Sequence, residues 1–146
     1  MSVFGAMDIS ASGLTAQTLR RDIISQNIAN AQTTRDADGN VYRKKSVVFA
    51  EKCQVTSTFG DVFGITTGTK SAGVKVSEIV EDRSEGNRVY DPTHPDANEE
   101  GYVTFPAVNI VTEMTDLIDA SRAYEANITA FNATKSMIMK ALEIGK

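Results

Sequence analysis

Hydrophobic and polar positions divide the chain into three stretches. From about Phe4 to Ala31 apolar residues recur at helical spacing. From about Gln32 to Phe105 they alternate over short runs broken by turn residues. From about Val108 to Glu143 the helical spacing returns. The last stretch is the most regular. Ile110, Met114, Leu117, Ser121, Tyr124, Ile128, Phe131, Lys135, Ile138 and Leu142 step by four and three, and eight of these ten are apolar. That spacing predicts a coiled-coil seam. No glycine or proline interrupts the chain between Ala107 and Ile144. Asn109, behind the helix-averse Pro106, suits an N-cap, and Gly145 suits a stop. At ~1.5 Å per residue such a helix is ~50 Å long, too long for a compact domain of this size.

Both terminal stretches carry more than one apolar stripe. On the last helix Ala123, Ala126, Ala130, Ala133 and Met137 fall roughly opposite the seam. Small residues there would let another helix approach closely. On the first, Met7, Ala11 and Leu14 define one stripe, Ala16, Leu19 and Ile23 a second, and Ile24 and Ile28 a third side. One antiparallel partner covers one stripe only. Two such helices cannot satisfy each other within a monomer, so the pattern predicts self-assembly or a permanent multi-protein complex.

The middle is poor core material. Between Gln54 and Ser77, 12 of 24 residues are Gly, Ser or Thr. Asp38-Gly39 suits a hairpin turn, Val74-Lys75-Val76-Ser77 and parts of Val41 to Phe49 alternate like half-buried strands, and Asp91-Pro-Thr-His-Pro-Asp96 reads as an ordered turn. These features predict a small β-rich unit without a large core.

Composition removes several function classes. With 41% apolar and 23% charged residues in 146, the chain is neither a disordered tail nor a membrane protein. Fifteen basic residues against 19 acidic ones give a net charge of −4, against the basic excess of a nucleic-acid binder. No apolar run approaches the ~18 residues of a membrane span. The single cysteine, Cys53, excludes an internal disulfide framework, and the single histidine, His94, excludes a multi-histidine metal site. The N-terminus lacks the basic and apolar regions of a classical secretion signal.

Apparent catalytic or ligand motifs do not hold up. Gly64-Ile-Thr-Thr-Gly68-Thr-Lys70-Ser71 has three residues between its glycines where a phosphate loop needs four, and Thr69 precedes Lys70. Asp36-Ala-Asp38-Gly39-Asn40 has its glycine two positions early for a calcium loop, and Val47 stands at the twelfth position. Asp91, His94 and Asp96 offer one imidazole and two carboxylates in a Pro-rich turn, a weak basis for a base or a metal site. Cys53 lacks a helix start or imidazole to activate it and reads as a structural thiol. Asn127-Ile-Thr129 and Asn132-Ala-Thr134 match a glycosylation pattern in mid-helix, by chance. Arg43-Lys44-Lys45 reads as a solvated strand edge. Neither a cofactor nor a metal is implied, and the chain is not expected to be an enzyme.

Two terminal motifs carry a family resemblance. Leu19-Arg-Arg-Asp-Ile-Ile-Ser-Gln-Asn27-Ile-Ala29-Asn30-Ala-Gln-Thr33-Thr34 resembles the N-terminal motif of the axial proteins of the bacterial flagellum, which ends a helix with Ala-Asn-x-x-Thr. Glu113-Met114 through Ser121-Arg122-Ala123-Tyr124-Glu125-Ala126-Asn127, and on to Thr134-Lys135-Ser136-Met137, resembles the matching C-terminal motif. Tyr90-Asp91-Pro92-Thr-His94-Pro95-Asp96, followed by Gly101-Tyr102-Val103, and the terminal Lys140-Ala-Leu-Glu-Ile-Gly145 narrow the resemblance to the proximal, C-type rod proteins of the basal body. Where many axial proteins follow the first motif with a glycine and an aromatic, this chain has Thr34-Arg35.

The resemblance implies a structural subunit of the basal-body rod, polymerised into a helical, periplasm-spanning shaft that transmits torque. It implies export through the flagellar type III apparatus without signal cleavage. The implied partners are copies of itself, other rod proteins and the export apparatus, with the surrounding rings as further candidates; nucleic acid and a membrane span are not among them. The expected fold class is α+β, with long N- and C-terminal helices paired as an antiparallel coiled coil around a small β-rich and loop middle. The boundaries are 1–33 for the first axial helix, 34–106 for the middle and 107–146 for the long helix. The expected assembly interface comprises Leu14, Leu19, Ile23, Asn27, Ala29, Asn30 and Thr33 from the first helix and its turn. From the second come Met114, Leu117, Ser121, Arg122, Tyr124, Ala126, Asn127, Ala130, Phe131 and Ile138. Two rivals remain. A soluble coiled-coil adaptor would need only one apolar seam, which the alanine face argues against. A small enzyme would depend on His94.

Overall fold

The computed structural model describes residues 3–35, 39–54 and 70–144. Helix α1 spans Val3–Ala29, strands β1 (Lys45–Gln54), β2 (Lys70–Glu81), β3 (Asn87–Tyr90) and β4 (Tyr102–Phe105) follow, and helix α2 spans Ile110–Ile144. Strand β1 pairs with β2, and β3 with β4, as two separate two-stranded sheets. All three prolines, Pro92, Pro95 and Pro106, lie between the helices, so neither helix is interrupted. Asn109 caps α2 as expected: its Oδ1 accepts from Val111 N–H at 3.0 Å and Thr112 N–H at 3.4 Å. The architecture is α+β, two long helices packed as a pair with a small β-rich middle.

Two compact units divide the described residues. The first draws on the described residues within 1–18, 49–77 and 122–146. Here Gly13 lies against Asn127: a Cβ on Gly13 would stand 2.8 Å from Asn127 Oδ1, so the missing side chain permits the close approach of α1 and α2. On another side of α1, Ser12 Oγ donates to the Ile9 carbonyl at 2.7 Å and accepts from Val74 N–H at 3.1 Å. Strand β2 turns past Ser12 at Gly73, whose φ of +111° and lack of a Cβ both suit glycine there.

The second unit draws on 19–48 and 78–121. Ion pair Arg20–Asp116 and hydrogen bond Asn27–Glu113 show that later α1 residues meet earlier α2 residues, so the helices run antiparallel. Ile23, Ile24, Ala31, Val103 and Ala120 form the small apolar core. Strands β3 and β4 are antiparallel, with Val89 opposite Val103 and Tyr90 opposite Tyr102. The two tyrosine rings meet edge to face, 5.3 Å apart. Gly101, at φ +83°, closes the turn beneath Tyr90.

The seam of α2 differs from the expected one. The buried and half-buried row is Glu113, Leu117, Ala120, Tyr124, Asn127, Phe131, Thr134 and Ile138. Leu117, Tyr124, Phe131 and Ile138 belong to both rows. Ile110, Met114, Ile128, Lys135 and Leu142 of the expected row are exposed. The physical reason lies on α1, which presents Gly13 to Asn127 and Asn27 to Glu113. A partner this small and polar selects close backbone approach and satisfied polar groups over bulky apolar contact. The alanine stripe correspondingly flanks the seam instead of lying opposite it.

The basic run is also corrected. Only Arg43 is exposed; Lys44 pairs with buried Glu113, and Lys45 pairs with Glu81 at 3.8 Å. Residues 36–38 of the expected hairpin turn, 64–69 of the Gly/Thr loop, most of 55–71 and the Gly145 stop lie outside the described residues, as does the Cys53 side chain.

Candidate assembly interface

The Ala-Asn-x-x-Thr segment folds as a helix end. Beyond Ala29 the chain continues as a turn in which Thr33 N–H donates to the Asn30 carbonyl at 3.0 Å. Asn30 Nδ2 donates back to the Gln26 carbonyl at 2.9 Å, and the Thr33 hydroxyl to Asn30 Oδ1 at 3.2 Å. Asn and Thr suit these positions because short polar side chains bond nearby backbone groups that the ending helix leaves open. Just beyond, the Thr34 hydroxyl donates to Asp96 Oδ2 at 2.7 Å and Arg35 lies 3.4 Å from Oδ1, which ties the turn to the 91–96 loop.

One turn earlier sits a buried polar knot. Asn27 and Glu113 are each 1% exposed. Asn27 Nδ2 donates to the Lys45 carbonyl at 2.8 Å and to Glu113 Oε2 at 2.9 Å. Its Oδ1 accepts from Lys45 N–H and from the Tyr42 hydroxyl, both at 3.0 Å. A primary amide offers two donors and two acceptor lone pairs, so Asn27 is saturated within the chain. The Lys44 ammonium faces Glu113 Oε1 and balances the buried carboxylate. Burial, and then the Glu113 and Glu81 carboxylates, push the Tyr42 phenol above its ordinary value.

The Asp91 and His94 side chains serve the turn, while the Asp96 carboxylate is taken by Thr34 and Arg35. Asp91 Oδ1 accepts from the Thr93 hydroxyl at 2.6 Å and from Thr93 N–H at 3.1 Å; these bonds hold its carboxyl below the usual range. His94 Nδ1 accepts from Asp96 N–H at 3.1 Å. Among the described residues no group of three or more His, Cys, Asp or Glu side chains is placed to hold a metal ion.

The expected interface residues separate by exposure. Ile23 and Asn27 are buried inside the chain, and Leu14, Leu19, Asn30, Thr33, Leu117, Ser121, Tyr124, Asn127, Phe131 and Ile138 are half-buried. Ala29, Met114, Arg122, Ala126 and Ala130 are exposed and open to a neighbour. Sequence reasoning missed Glu113, Lys44, Tyr42, Gly13 and Ala120 as organisers of the pair. Glu113 stands in the first turn of α2, where a carboxylate reads as a complement to the helix dipole, so its burial had no local signal.

Both halves of this arrangement match known proteins. A family model described as flagella basal body rod protein matches residues 7–35, and one described as flagellar basal body rod FlgEFG protein C-terminal matches 99–144. The chain is 50% identical to flagellar basal-body rod protein FlgC of Bacillus subtilis over the full length of both. It is 43% identical to that of Borreliella burgdorferi over 99% of this chain and 98% of the relative. It is 38% identical to that of Salmonella typhimurium over the full length of both. The chain belongs to the FlgC family of flagellar basal-body rod proteins.

As a member of the FlgC family it is a structural rod subunit of the flagellar basal body. The two family models cover most of α1 with its Asn30–Thr33 turn, and β4 with α2, so the family signature coincides with the helix pair and includes Asn27 and Glu113 of the polar knot, while Tyr42, Lys44 and Lys45 lie between the two matches. No helix among the described residues is long and apolar enough to cross a membrane.

Proposed function

We propose that this FlgC-family subunit polymerises with copies of itself and with other rod proteins into a helical shaft that spans the periplasm and transmits torque. It reaches that place through the flagellar export apparatus with its N-terminus uncleaved. The observation that carries this reading is the uncovered flank of α2: Ala126, Ala130 and Ala133 are exposed, and Met137 is 62% exposed. Alanine and methionine in a row gain nothing from water, and a neighbouring helix would cover them. An adaptor built on a single seam would not need this flank.

The test compares Ala130→Glu with Ser136→Glu. Glutamate is a good helix former, so α2 itself should persist in both variants. At Ala130 the carboxylate would enter a dry helix contact, where an unpaired charge is costly. The expected outcome is an expressed, exported subunit that builds no complete rod in Ala130→Glu cells, seen by electron microscopy of basal bodies and by lost swimming. Ser136→Glu cells should be much less affected. Normal swimming and complete rods with Ala130→Glu would overturn the reading.

A further inference from the structure

The corrected seam divides the rest of α2 into three faces, because positions seven apart share a side in a 4-3 row. Directly opposite the buried row stand Thr115, Arg122, Thr129, Ser136 and Glu143, all polar and exposed. That ridge suits water. One flank carries Val111, Met114 and Ile118, which are 74%, 54% and 53% exposed. The other flank carries Ala123, Ala126 and Ala130.

The two flanks match each other. Val111, Met114 and Ile118 are spaced by three and then four residues, and so are Ala123, Ala126 and Ala130; each member lies twelve residues from its counterpart. Large side chains pack best against small ones on the facing helix. Joining large flank to large flank, or alanine to alanine, would give up that fit. An unstaggered join of opposite flanks would set Glu125, Asn132 and Lys135 against the alanines and desolvate them.

Resting on the rod reading above, we infer that the Val111/Met114/Ile118 flank of one subunit packs on the Ala123/Ala126/Ala130 flank of a second copy in the same orientation, staggered by twelve residues. At 1.5 Å per residue the stagger is ~18 Å. The same shift sets exposed Glu125 across from Met137 and within one turn of Lys140 of the second copy, whose ammonium also pairs with its own Glu143 at 2.7 Å. A contact between two different patches is heterologous, and one that climbs along the axis repeats as a helical array instead of closing as a flat ring. The polar ridge stays in water.

The test exchanges a large and a small residue across the contact. Ala126→Leu fills the small flank, Met114→Ala empties the large one, and the combined variant restores the total volume. On one helix these positions are a dozen residues apart on opposite flanks, so no rescue can arise inside a subunit. Ala, Leu and Met are all strong helix formers, so α2 should form in each variant. Complete rods per cell should fall at least about tenfold with Ala126→Leu, less with Met114→Ala, and return to within about twofold of the parent in the combined variant. Ala130→Leu with Ile118→Ala is an independent repeat of the same exchange. A combined variant no better than Ala126→Leu, a harmless Ala126→Leu, or equal rescue by the unstaggered Ile128→Ala would overturn the stagger. A strain lacking the subunit serves as reference: complete rods there would defeat the rod reading itself, a result distinct from failed rescue.

Discussion

At Asn27 one side chain joins α1, the start of β1 and the first turn of α2. Its four hydrogen bonds, at 2.8 to 3.0 Å, leave no donor or acceptor for a neighbouring subunit. The motif residue expected at an assembly surface is therefore engaged inside the subunit, where it fixes how the two helices meet. Glu113 depends on it for a hydrogen bond and on Lys44 for charge balance. Removing a partner from a buried pair is costly because the remaining charge stays desolvated. Lys44→Met should destabilise the subunit by about 2–3 kcal/mol, below the ~3–5 kcal/mol of a fully enclosed pair because the lysine itself reaches solvent. Urea unfolding of the purified variant checks this, and Lys44→Met combined with Glu113→Leu should recover most of the loss. No recovery would show that the knot contributes hydrogen bonds more than charge balance.

At the scale of elements the helix pair is a close-approach pair. Gly13 against Asn127 leaves no room for a large side chain, and Thr134 and Asn127 satisfy themselves on their own helix, at the Ala130 and Ala123 carbonyls. Gly13→Leu should push the helices apart and cost about 1–3 kcal/mol despite leucine's better helix propensity. The same urea titration reads it; an unchanged midpoint would mean that α1 and α2 do not depend on contact at Gly13. Much of this level was legible. Uninterrupted helical spacing, the Asn109 cap and the strand alternation at Val74–Ser77 each follow from local chemistry. The phase of the seam was not legible. Leu117, Tyr124, Phe131 and Ile138 fit two alternative rows, and apolar Met114 and Ile128 favoured the wrong one. Choosing Glu113 and Asn127 instead requires knowing that Lys44, Asn27 and Gly13 lie opposite, and those residues are remote in sequence. Lys44 was misread for the same reason: a basic run looks solvated until its buried carboxylate is found.

For the whole molecule, the helices conceal Asn27 and Glu113 beside Ile23 and Ile24, and leave several other large apolar residues outside. Met114, Ile118, Met139 and Leu142 are each more than half exposed, while Asn27 and Glu113 are buried. In a solitary soluble subunit that arrangement exposes apolar surface for no return. In the rod proposed above, the outer apolar flanks would become contacts between subunits, with the buried polar knot holding each subunit's pair in register. The central claim is thus that the alanine flank of α2 is open in the free chain and covered in the rod. Thiol labelling measures this directly. With Cys53→Ser removing the native thiol, Ala130→Cys and Ser136→Cys each provide a single reporter for a small maleimide. Ala130→Cys should label rapidly in the isolated subunit and at least about tenfold more slowly in purified basal bodies, while Ser136→Cys labels readily in both. Equal labelling of Ala130→Cys in the subunit and in basal bodies would contradict the account.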